Sequence, residues 1–97
     1  MIRTAVLACN GATNASLGVT LDVLAAANRI AAELHRPPDA RFAFEVLSLR
    51  RTIVTSTGTR LQADSTISSW RGRADVILVA GHLPQAQHLG VVSGTEL

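Results

Sequence analysis

The sequence has no lysine and no tyrosine, and its 97 residues include only two Phe, one Trp and one Cys. So few aromatics leave no set of stacking platforms for single-stranded nucleic acid, and a core must be built from aliphatic side chains. All nine basic residues are arginine, and the net charge is only +2. Arg50 with Arg51 and Arg71 with Arg73 make two short clusters. A surface that tracks phosphates needs a longer stripe, so these read as solvated strand ends. The single cysteine, Cys9, excludes an internal disulfide and has no partner at a metal-ligand spacing. It fits a reducing cytoplasm, and it is expected as a small buried hydrophobe on the first strand. His35, His82 and His88 are too scattered for a metal site, and no cofactor is expected. No apolar run reaches the roughly 20 residues of a membrane helix. The stretch Met1 to Cys9 is too short for an export signal, so a soluble, cytoplasmic chain without membrane contact is expected.

What is present points to a core. Hydrophobic residues make up 47% of the chain and charged ones 16%, which excludes intrinsic disorder. Arg3 to Cys9 is nearly continuously apolar and is followed by Asn10-Gly11, the pattern of a strand buried on both faces in a parallel sheet. Val23, Leu24, Ala27, Ile30, Ala31 and Leu34 then recur at helical spacing. Ser16 is a candidate N-cap, and Pro37-Pro38 ends the helix. Phe42 to Leu49 reads as a second strand, placed near a sheet edge by Glu45. Thr52 to Ser56 and Thr59 to Ala63 flank Thr57-Gly58 as a hairpin. Asp64 is expected to cap a short helical turn through Trp70, and Asp75 to Ala80 is a further apolar strand ending in Gly81. From His82 to Leu97 the periodicity is weak, and Gly90, Ser93 and Gly94 argue against a long helix.

The β-α-β order implies parallel strands joined by right-handed crossovers. One good helix leaves one face of such a sheet uncovered, so either a homo-oligomer or a longer domain is expected. In open α/β sheets ligands bind at the carboxyl ends of the strands. That rule brings together the loops at Asn10-Gly11 and Gly81-His82 with the helix start near Ser16, and these five residues are the candidate ligand-binding set. Glycine there permits close backbone approach, and a helix amino end offers unpaired amides to a small polar effector.

The order of these segments carries a resemblance. Thr4-Ala5-Val6-Leu7-Ala8, Gly11, and Asp22-Val23-Leu24 with Ala27-Asn28-Arg29 resemble the opening of the PfpI/ThiJ family, the class I glutamine amidotransferase-like fold. They are similar in particular to the amino-terminal domain of AraC-type transcriptional regulators. Thr55-Ser56-Thr57-Gly58-Thr59-Arg60-Leu61 followed by Ala63-Asp64 resembles the family's Ser-Ser-Gly-x-x-Leu hairpin. Ala74 to Gly81 resembles the strand that ends in its Pro-Gly-Gly. The resemblance runs from about Arg3 to about Gly81 and implies an α/β fold, a parallel-sheet flavodoxin-like sandwich present as its amino-terminal part. By this resemblance residues 1–97 form the front of such a domain, without its nucleophile elbow. The family's acidic residue maps onto Ser16, which is no carboxylate base, and the second Gly of Pro-Gly-Gly is His82.

These departures imply a non-catalytic, ligand-sensing domain of an AraC-type regulator, with a small-molecule effector as partner. No helix-turn-helix pair is readable, so DNA contact would fall to a separate module. The alternatives are the front half of a PfpI/ThiJ-type hydrolase, hydratase or glyoxalase-like enzyme, and a truncated product without independent function.

Overall fold

The computed structural model describes residues 1–82. The sequence expectations for His88 and for Gly90, Ser93 and Gly94 lie outside the described residues. Strand β1 (Ile2–Leu7) leads into helix α1 (Asn14–Glu33), a 3-10 turn (Pro38–Ala40) and β2 (Phe42–Ser48). A hairpin of β3 (Thr52–Val54) and β4 (Arg60–Gln62) follows, then the two-residue β5 (Ser65–Thr66) and β6 (Val76–Val79). The main sheet has the order β5-β2-β1-β6 with every pair parallel. The hairpin is a separate antiparallel ribbon that reverses through Gly58 at φ 85°. This is the α/β parallel-sheet architecture expected from the sequence.

The topology assigns the two faces. The step from β1 to β2 moves one way across the sheet and the step from β5 to β6 moves back, so right-handed crossovers put α1 and residues 67–75 on opposite faces. Register then sorts the side chains. Val6, Val46 and Leu78 stand level and share the core under α1 with Leu17 and Leu24. Ala5 and Leu47 are buried on the other face, where Trp70 Nε1 donates to Glu45 Oε1 at 3.0 Å. Glu45 is tolerated because β5 pairs only with Leu47 and Ser48, which leaves the first half of β2 at an edge, as its carboxylate suggested.

The helix turns a different side to the sheet than the apolar spacing implies. Leu17 and Leu24 are its buried residues, Leu21 packs beside them, and Val23, Ile30 and Leu34 are exposed. The rotation is set by Asn28, which lies on the sheet side of α1. Its Nδ2 donates to Phe42 O at 2.8 Å and its Oδ1 accepts from Phe42 N at 2.7 Å, so one amide side chain satisfies both backbone groups at the start of β2. By length and composition α1 could also cross a membrane. As the crossover between two adjacent paired strands it lies against the sheet instead.

Three further expectations are corrected. The helix ends before the prolines, at His35 with φ 55°. His35 N donates to Ala32 O and Arg36 N to Ala31 O, the paired bonds of a Schellman cap with His where Gly is usual. Asp64 caps no helix: its Oδ2 accepts from Val46 N at 2.8 Å, and Ser65–Thr66 continue as β5. The strand read as Asp75 to Ala80 is β6, and it is not enclosed, with Ile77 61% and Val79 72% exposed.

Asn28→Ala should lower stability by about 1–2 kcal/mol, because it leaves a half-buried backbone donor and acceptor without their partners; chemical denaturation will measure this. His35→Gly should raise stability by about 0.5–1 kcal/mol, the relief of left-handed strain less the added chain entropy of glycine, visible as a higher denaturation midpoint at unchanged slope.

Candidate functional site

The carboxyl ends of β1 and β6 meet the start of α1, as the strand order requires. Thr13, not Ser16, is the N-cap: its Oγ1 accepts from Ser16 N at 3.3 Å. Ser16 stands three places on, where a capping box would turn its side chain back to the Thr13 amide. Here Thr13 N donates to Gly81 O at 2.9 Å instead. The Ser16 hydroxyl, released from that duty, accepts from Gly81 N at 2.7 Å. The end of β6 is therefore docked on the first turn of α1 through both backbone groups of Gly81. A Cβ at Gly81 would lie 3.3 Å from Ser16 Oγ, which is the close approach that glycine permits here. His82 continues the contact through a bridge to Ala12.

Asn10 and Gly11 turn the other way, toward the hairpin. Gly11 N donates to Val54 O at 2.8 Å, and Val54 N donates to Asn10 Oδ1 at 3.0 Å. Ser56 N donates to Ala12 O at 2.9 Å, and Asn14 Nδ2 to Thr57 Oγ1 at 2.7 Å. Gly11 has φ 91°, a conformation that a side chain at this position would strain. The segment 10–16 is thus laced to the hairpin on one side and to Gly81 on the other.

The structure brings together Ser16, Gly81 and His82 directly, and places Asn10 and Gly11 on the same loop with different partners. The amides of Gly11, Ser16 and Gly81 are spent on the protein itself. Among the described residues, what α1 still offers are the first-turn amides of Asn14 and Ala15, which lie ahead of its first internal bonds. Spacing alone did not reveal Thr13 or Asn14, although a threonine three residues ahead of Ser16 is a cap signal in itself. Cys9 also departs from expectation. It lies two residues beyond the end of β1 and is exposed, so it is not a core residue. Among the described residues no group of three or more His, Cys, Asp or Glu could hold a metal ion.

No family model and no curated protein matches the sequence. Solved structures do. An AraC family transcriptional regulator from Pseudomonas putida aligns with a TM-score of 0.68 at 24% identity, over 98% of this chain and 57% of that one. Oxidized DJ-1 from Toxoplasma gondii aligns at 0.63 and 20% identity, over 93% and 44%. A DJ-1 superfamily protein from Salmonella typhimurium aligns at 0.57 and 25% identity, over 94% and 44%. The chain spans about half the length of these structures. Its described residues have the flavodoxin-like parallel-sheet fold of these structures.

Proposed function

We propose that the chain is the amino-terminal part of an effector-sensing domain of an AraC-type transcriptional regulator, and that it performs no catalysis. The observation that carries this reading is the Ser16–Gly81 hydrogen bond. Where the related enzymes would place an acid, this chain has a hydroxyl, and that hydroxyl is occupied in holding the strand end that an oxyanion would approach. A hydroxyl so engaged neither takes a proton at neutral pH nor leaves Gly81 N–H free for a substrate. The likeness to the Pseudomonas putida regulator supports the same reading. The enzyme alternative, the front half of a PfpI/ThiJ-type protein, draws on the likeness to DJ-1 proteins.

The effector is a small polar or anionic molecule resting on the rim formed by Asn10, Gly11, Ser16, Gly81 and His82, where the Asn14 and Ala15 amides and the positive end of α1 favour negative charge. DNA is reached through another module, and the exposed thiol of Cys9 suits a reducing cytoplasm. Exposed Val23, Ile30 and Leu34 on α1, with Ile77 and Val79 on β6, support a homo-oligomer.

Ser16→Ala should cost about 0.5–1 kcal/mol, the loss of one solvent-exposed hydrogen bond, and should speed hydrogen exchange at the Gly81 amide without creating or abolishing any activity. Turnover of a dicarbonyl or amide substrate that disappears in Ser16→Ala would decide for the enzyme. Titration with a panel of small carboxylates, followed by amide chemical shifts, should perturb Asn14, Ala15 and Gly81. An effector that moves only the Thr52 to Ala63 hairpin would refute the rim as its site. Sedimentation should find a species heavier than the monomer, and Ile30→Glu or Ile77→Glu should shift it toward the monomer.

A further inference from the structure

On the other side of β1 from the rim lies a second opening, at the carboxyl ends of β1 and β2. It is a cavity of about 220 Å³ lined by Cys9, Asn10, Ser48, Leu49, Arg50 and Thr52. Its chemistry has one sign. Among the described residues Arg50 is the single charged one in the lining, and none of them brings a carboxylate to it. The neutral groups add hydrogen-bond donors: the hydroxyls of Ser48 and Thr52, and the Nδ2 of Asn10. Asn10 is held in place because its Oδ1 accepts from Val54 N at 3.0 Å, which leaves the amide hydrogens to face outward.

Ser48 marks the opening as more than a surface crease. The residue is only 3% exposed, and its hydroxyl has no protein partner among the described residues. Yet it is not one of the sealed orphans, which are Thr4 Oγ1 and Arg41 Nε. A buried polar group ordinarily finds a partner, and this one lines the cavity.

We propose that this cavity binds a small oxyanion, a carboxylate or a phosphate. The Arg50 guanidinium supplies the charge-assisted bonds, and Ser48, Thr52 and Asn10 donate to the remaining oxygens. Leu49 forms the apolar wall, and a space of about 220 Å³ holds a small anion with room for a short organic tail. The site is separate from the rim, shares only Asn10 with it, and does not depend on the regulator reading. Cys9 is exposed in the lining, so a bound anion covers its thiol.

That cover supplies the test. Alkylation of Cys9 by iodoacetamide, a neutral reagent, is followed by intact mass in inorganic phosphate, in acetate and in chloride at one pH and ionic strength. The expected result is slower alkylation in phosphate or acetate, by about tenfold at an anion concentration about ten times its dissociation constant. Whichever anion protects identifies the class. Arg50→Gln, a surface change that leaves the fold intact by circular dichroism, should abolish the protection, and Ser48→Ala should weaken it. Arg71→Gln, remote from the cavity, should leave it unchanged. The Asn10 side-chain amide resonances should shift with the protecting anion in the unsubstituted protein and stay fixed in Arg50→Gln. Equal rates in all three salts, or protection that survives Arg50→Gln, would overturn the proposal.

Discussion

Parallel pairing of β1 on both its edges is the constraint on which everything else in this chain rests. Parallel neighbours cannot be joined by a tight turn, so each pairing demands a crossover. The two crossovers run in opposite directions, one from β1 out to β2 and the other from the edge strand β5 back across the sheet to β6, and handedness puts them on opposite faces. One of them is long enough to be α1, which covers Val6 and Val46. The other, residues 67–75, is short; on its face Trp70 reaches Glu45, while Ile77 and Val79 stay largely in water. Burial in the sheet therefore follows connection length, not hydrophobicity alone.

The same constraint gathers the polar loops. Every parallel strand ends at one edge, so the segment after β1 must pass between whatever follows β2 and whatever ends β6. It is held there by backbone and side-chain hydrogen bonds to both neighbours. A rim fastened in this way is preorganised but largely self-satisfied, and Gly81 is the clearest case, with both backbone groups taken by α1. Chemistry that needs free amides must use the first turn of α1. Chemistry that needs a cation must look to Arg50 on the far side of β1.

Much of this was legible in the sequence. Continuous apolar runs at Arg3 to Cys9 and Asp75 to Ala80 announced parallel strands, Glu45 announced an edge, Thr57-Gly58 announced the hairpin turn, and the meeting of Ser16 with Gly81 followed from adjacent strand ends. The errors share a cause. Cys9, Val23, Ile30 and Leu34 were expected inside because they are apolar, but a one-dimensional pattern tells neither where β1 leaves the sheet, ahead of Cys9, nor which of two apolar sides of a helix meets it. Asn28 decided that, through a bond pair to a residue 14 places away.

What the sequence by itself determined is most of the local elements: where β1, β2, the hairpin, β6 and the long helix run, and that the strands of the main sheet are parallel. Periodicity and propensity act over neighbouring residues, and those residues are in hand. What only the tertiary structure decided is how polar groups pair across long separations. Thr13 took the cap, Ser16 was freed for Gly81, Asp64 bonded to Val46 N, and Ser48 was left facing a cavity beside Arg50. Each of these outcomes depends on competition among donors and acceptors that become neighbours only after the sheet has formed.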